Sequence, residues 1–128
     1  MHLMPRQVRC WLCAIPVDMR KGFDGLSGLV RRYLEQDPLT GDVFVFISRA
    51  RTHMKLLFWD GDGFVLYYKR LEKGRFDFPV SAGVSRQLRR EELLMLIEGV
   101  VLSQTQRKAR YQLPDQLPVG PATYVDNS

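Results

Sequence analysis

The chain is poor in the residues from which most protein site chemistry is built. It has two cysteines and two histidines in 128 residues. Two cysteines cannot make a disulfide scaffold, so a reducing cytoplasm is the expected setting. Nor do Cys10 and Cys13 make a zinc site, since four ligands are needed and His2 and His53 stand isolated. The pair falls inside an apolar, strand-like run, where residues three apart point to opposite faces. It therefore reads as two buried structural thiols, not a redox couple. No apolar run approaches the roughly 20 residues of a membrane-spanning helix. The opening Met1-His2-Leu3-Met4-Pro5-Arg6 lacks the apolar stretch of a secretory signal, so no membrane partner is expected. There is no phosphate-binding P-loop, no G-x-G-x-x-G, no internal repeat and no low-complexity segment.

Acid is also in short supply. Fourteen Asp and Glu face nineteen Lys and Arg, a formal net charge of +5. The cations cluster as Arg49, Arg51 and Lys55; as Lys69, Arg70, Lys73 and Arg75; as Arg86, Arg89 and Arg90; and as Arg107, Lys108 and Arg110. Such clusters suit a polyanion, because each cation placed on a phosphate releases a condensed counterion. The competing reading is a solvated surface that keeps a small protein soluble.

What is plentiful is core: 45% of the residues are hydrophobic and 26% charged, the balance of a globular domain. Residues 8–17 read as a strand closed by Pro16, and Asp18 as the cap of the segment that follows. Over residues 21–36, Phe23, Leu26, Leu29, Val30, Tyr33 and Leu34 recur at helical spacing. Three strand-like runs follow: residues 43–47, 54–59 and 63–68, the last extending to Arg70. Asp60-Gly61-Asp62-Gly63 forms a hairpin turn between the second and third. Residues 71–74 turn again, and residues 75–80 are expected to return as a short edge strand stopped by Pro79. Residues 88–102 carry a helical apolar stripe. The expectation is a single α+β domain over residues 5–102, a small antiparallel sheet of about four strands with two helices packed on one face. Residues 103–128, basic and proline-containing, read as a flexible tail.

Paired aspartates suggest metal catalysis, but a two-metal site needs several converging carboxylates. Asp60 and Asp62 lie where a turn asks for aspartate, while Asp18 and Asp24 suit a cap and a first helical turn. No catalytic residue, metal ligand or cofactor is therefore expected. In the hairpin region, Phe58, Trp59, Phe64, Tyr67, Tyr68, Phe76 and Phe78 are interleaved with Lys55, Lys69, Arg70, Lys73 and Arg75. Aromatics for stacking beside cations for phosphate are what a sheet needs to hold nucleic acid. The alternative is that the rings face the core and the cations face water.

The run Pro16-Val17-Asp18-Met19-Arg20-Lys21-Gly22-Phe23-Asp24-Gly25-Leu26 resembles a motif of the small accessory protein of the insertion sequence 66 family of bacterial mobile elements. Phe44-Val45-Phe46 and Lys55-Leu56-Leu57-Phe58-Trp59-Asp60-Gly61-Asp62-Gly63 resemble further blocks. So do Tyr68-Lys69-Arg70-Leu71-Glu72-Lys73-Gly74-Arg75-Phe76 with Phe78-Pro79, and Leu96-Ile97-Glu98-Gly99. Where family members often carry a Ser or Thr cap before the last helix, this chain has Arg89 and Arg90. The resemblance implies an accessory role in DNA transposition beside a larger transposase that carries the catalytic acids. It marks Asp18, Met19, Arg20, Lys21, Gly22, Asp24, Gly25, Trp59, Asp60, Gly61, Gly63, Lys69, Arg70, Gly74, Arg75 and Phe76 as motif positions, without assigning them tasks. The partners expected are that transposase and DNA. Phosphate contacts are expected from Arg49, Arg51, Lys55, Lys69, Arg70, Lys73 and Arg75.

Overall fold

The computed structural model describes residues 8–77 and 83–98. The elements run β1 (Cys10–Cys13), α1 (Phe23–Arg32), a short 3-10 turn (Pro38–Thr40), β2 (Val43–Ile47), β3 (His53–Trp59), β4 (Phe64–Arg70), β5 (Ser85–Leu88) and α2 (Arg90–Glu98). They form a five-stranded sheet in the order β4-β3-β2-β1-β5. β1 runs parallel to β2, and every other neighbouring pair is antiparallel.

The parallel pair follows from the connection. Adjacent parallel strands need a crossover, and residues 14–42 supply one containing α1. α1 buries Leu26, Leu29 and Val30 against Phe44, Phe46, Leu57 and Cys13 on one face of the sheet. α2 buries Met95 and Leu96 on the other face, against Val45, Ile47, Met54, Leu56, Leu12, Cys10 and Phe76. The register confirms the division, because Phe44 pairs with Leu57 while Val45 pairs with Leu56. β2 is thus apolar on both sides and needs cover on both.

The α+β single-domain class expected from the sequence holds, with differences in its detail. The helices lie on opposite faces instead of sharing one, and the sheet is mixed. β5 occupies Ser85–Leu88, of which the sequence assigns only Leu88, to the start of the last helix. Residues 75–77 are not strand, and residues 78–80 of the expected edge strand lie outside the described residues, as do residues 99–102 of the expected helix and the tail 103–128. Asp18 does not cap α1. Gly22 occupies that position, and no side chain caps it. Cys10 and Cys13 do point to opposite faces, each into a separate core, and burial pushes both thiols above their ordinary pKa.

Buried polar groups tie the layers together. Asp42, 9% exposed, accepts from the Arg9 backbone N–H and the Trp11 indole N–H, both at 3.1 Å, and so pins the start of β1 to the start of β2. Glu92 closes the start of α2. Its Oε1 accepts the Arg89 N–H at 2.9 Å, and its Oε2 takes Arg86 Nη2 at 2.9 Å. This is the carboxylate half of a capping box; Arg89 stands where the Ser or Thr half would be.

Candidate nucleic-acid interface

The loop from β2 to β3 is a tight turn built by Ser48. Its N–H donates to the His53 carbonyl at 3.0 Å, its carbonyl accepts Arg51 N–H at 2.9 Å, and its hydroxyl accepts His53 N–H at 3.2 Å. Arg51 sits in the left-handed region at φ 64° to complete it. The chain leaving β4 then folds back onto this turn. Leu71 N–H donates to the Thr52 carbonyl at 2.8 Å and Phe76 N–H to the Arg51 carbonyl at 2.7 Å. Phe76 anchors the strap by filling the α2-side core at 0% exposure. Two cationic segments distant in sequence are thereby laced together at one end of the sheet. Arg49, Lys73 and Arg75 are exposed there. Arg70 is exposed and pairs with Glu72 at 3.0 Å, while half-buried Arg51 reaches Asp77 at 3.4 Å.

Lys55 and Lys69 do not join them, contrary to the sequence expectation. Lys55 is 6% exposed and Lys69 3%. Strand alternation puts Lys55 on the α1 face, where its Nζ donates to the carbonyls of Met19 and Lys21 at 2.7 and 2.8 Å. Lys69 points to the α2 face and donates to the Ile97 carbonyl at 2.7 Å, close to the negative end of that helix. Burial pushes the Lys69 pKa below the ordinary lysine value, with Glu98 opposing. The aromatics divide as well. Phe76 is core, Trp59 and Phe64 stack edge-to-face at 5.1 Å across the hairpin, and Tyr68 stands out into solvent.

The motif loop of residues 16–22 is held by the buried Lys55 ammonium. Val17 N–H donates to the Ile47 carbonyl at 3.0 Å, and Lys21 N–H to the Asp18 carbonyl at 3.1 Å. Asp18 accepts the Arg20 backbone N–H at 2.9 Å and grips the Arg20 guanidinium at 2.7 to 3.1 Å. The Arg20 side chain and backbone hold the Asp18 carboxyl at a pKa of about 2. Asp24 lies in the first turn of α1, and a Cβ on Gly25 would come within 3.1 Å of the Lys21 side chain. Gly61 and Gly74 take φ of 92° and 75°, a region that disfavours a side chain. Asp18, Gly22, Gly61 and Gly74 thus shape the backbone locally. Sequence reasoning missed Asp42 and Glu92, although a Glu three residues after the residue preceding a helix is a readable capping signal.

Asp60 and Asp62 lie in the turn that ends the hairpin, opposite the cationic end. Asp60 N–H donates to the Gly63 carbonyl at 2.8 Å. Among the described residues no three His, Cys, Asp or Glu side chains gather as a metal site, and no helix is long and apolar enough to cross a membrane.

A mixed sheet between two helices, with two segments laced together at one end, defines a small α+β domain. The chain belongs to the IS66 Orf2-like family, whose model matches residues 8–107. It is similar to two uncharacterized proteins of Sinorhizobium fredii (strain NBRC 101917 / NGR234). To y4jC it is 36% identical over 103 residues, 80% of this chain and 88% of the relative. To y4hO it is 36% identical over 95 residues, 74% of this chain and 83% of the relative. No solved structure matches it. Membership places the protein among the accessory components of insertion-sequence transposition, associated with the element's transposition machinery.

Proposed function

We propose that the protein is a non-catalytic accessory factor that helps assemble the transposase–DNA complex by placing its cationic loop end on DNA phosphates. The observation that carries this reading is the lacing of the 48–53 turn to the 70–77 strap, which gathers Arg49, Arg51, Arg70, Lys73 and Arg75 from two sequence segments. Arginine forks suit phosphate oxygens, and contacts of this kind position a protein on DNA without reading its sequence. The test is a salt titration of binding to the element's end DNA beside a scrambled duplex of equal length. Replacing Arg49, Arg70 and Arg75 together by Ala is expected to reduce the slope of log K against log salt by about three. An unchanged slope rules out this face as the contact.

A second reading has its own support: α1 leaves Phe23 and Tyr33 47% and 52% exposed at its two ends. These rings suit a transposase-binding surface that never touches DNA. Capture of the transposase that survives nuclease and is lost in a Phe23→Ser, Tyr33→Ser protein favours this alternative.

A further inference from the structure

Tyr68 is an unusual edge-strand residue. It is 48% exposed on the α1 side of β4, directly across from Lys55. The Lys55 ammonium lies 4.6 Å from the centre of the Tyr68 ring. An ammonium has three N–H donors, and two of those on Lys55 already meet the carbonyls of Met19 and Lys21. The remaining one is left for the ring, a cation–π contact made by a desolvated charge, where such contacts are strongest. The His53 imidazole flanks the ring, centroids 5.9 Å apart and planes tilted by 38°. His53 is itself seated by Thr52, whose hydroxyl lies 2.9 Å from Nδ1. The ring is thus fixed beneath and beside, with much of its surface open to water. Two residues on, along the same side of the strand, stands Arg70, at a separation of about 7 Å. Arg70 belongs to the cationic end.

We propose that Tyr68 is a stacking platform for an unpaired nucleobase, with Arg70 on the neighbouring phosphate, so that the protein prefers DNA carrying a single-stranded extension over fully paired duplex. This rests on the DNA-binding reading above and adds the class of DNA. Rings with two free torsions, already immobilised, lose little freedom when a base stacks on them. Every base has a face to offer, so such a platform is indifferent to sequence. A duplex keeps its bases stacked on one another and cannot use the ring. A terminus opened or cut during transposition can.

The experiment uses the full chain with a blunt duplex and with the same duplex carrying a short unpaired extension, whose first base is a fluorescent adenine analogue. The extended DNA is expected to bind more tightly, with the analogue quenched on binding. Tyr68→Ala should weaken binding to the extended DNA roughly tenfold and leave the blunt duplex unchanged. Tyr68→Phe should keep both the preference and the quenching. Equal affinity for the two DNAs, or an unquenched analogue in the wild-type complex, overturns the platform whether or not the Ala variant folds. If duplex binding remains salt-sensitive in that case, the cationic end stands and the platform alone fails. If neither DNA binds, both proposals fall.

Discussion

At the scale of single residues, identical side chains do opposite jobs according to which way the strand turns them. Lys55 and Lys73 have the same chemistry, yet one is enclosed beneath α1's entry loop and the other stands in solvent. Removing the enclosed ammonium leaves the Met19 and Lys21 carbonyls without their donor. Lys55→Met, which keeps the aliphatic stem, is therefore expected to lower the unfolding free energy by about 1–3 kcal/mol in a denaturant titration. Lys73→Ala should stay within about 0.5 kcal/mol of wild type. If Lys55→Met were as stable as wild type, the loop would not depend on that charge. The residue-scale lesson for DNA binding is that net charge overstates the cations available to a phosphate.

At the scale of elements, α2 begins on a carboxylate. Burial raises the Glu92 pKa, but the Arg89 N–H and the Arg86 and Arg89 charges outweigh it and hold the group below the ordinary glutamate value. A carboxylate depressed in the folded state contributes stability that is full above its unfolded pKa and is lost as pH falls through the folded one. Unfolding monitored across the acid range should therefore show stability falling below the ordinary glutamate pKa. Glu92→Gln should be less stable at neutral pH by about 1–2 kcal/mol, with a flatter acid limb. Equal acid slopes in the two proteins would assign the pH dependence elsewhere. The β3–β4 hairpin has a comparable dependence on backbone geometry. Gly61→Ala forces a side chain into φ 92° and should reduce stability by about 1 kcal/mol, read as a lowered melting temperature.

At the scale of the whole molecule, the length of the hairpin sets the acidic turn apart from the laced end. Asp60 and Asp62 occupy one end and the laced arginines the other, with β3 and β4 between them, a distance of about 20 Å. This exceeds the screening length of about 8 Å at physiological salt. Replacing both aspartates by Asn is expected to leave DNA affinity within about twofold, whereas Glu72→Gln, which releases the Arg70 guanidinium, should strengthen it. A large gain from the distant aspartates would place the DNA nearer that turn than the cationic-end proposal allows.

Periodicity and turn chemistry by themselves determined the local elements: α1, β2, the β3–β4 hairpin and the helical stripe of α2 were legible because each is written in a few neighbouring residues. The family was legible too, since its blocks are contiguous runs. Tertiary structure alone decided which strands became neighbours. The parallel β1–β2 pair joins residues separated by a whole crossover, and β5 is four residues whose pairing with β1 leaves little periodic trace. From the sequence both helices were expected on one face; that α1 covers one side of β2 and α2 the other was decided by the register. The site divided in the same way. That arginines cluster in two segments is plain from the chain; that the segments meet, while Lys55 and Lys69 turn inward to bind carbonyls, depends on strand alternation and on backbone hydrogen bonds between residues far apart in sequence. Side-chain direction along a strand has a period of two, so a shift of one residue in register would turn Lys55 from the α1 face to the α2 face and Lys69 the other way.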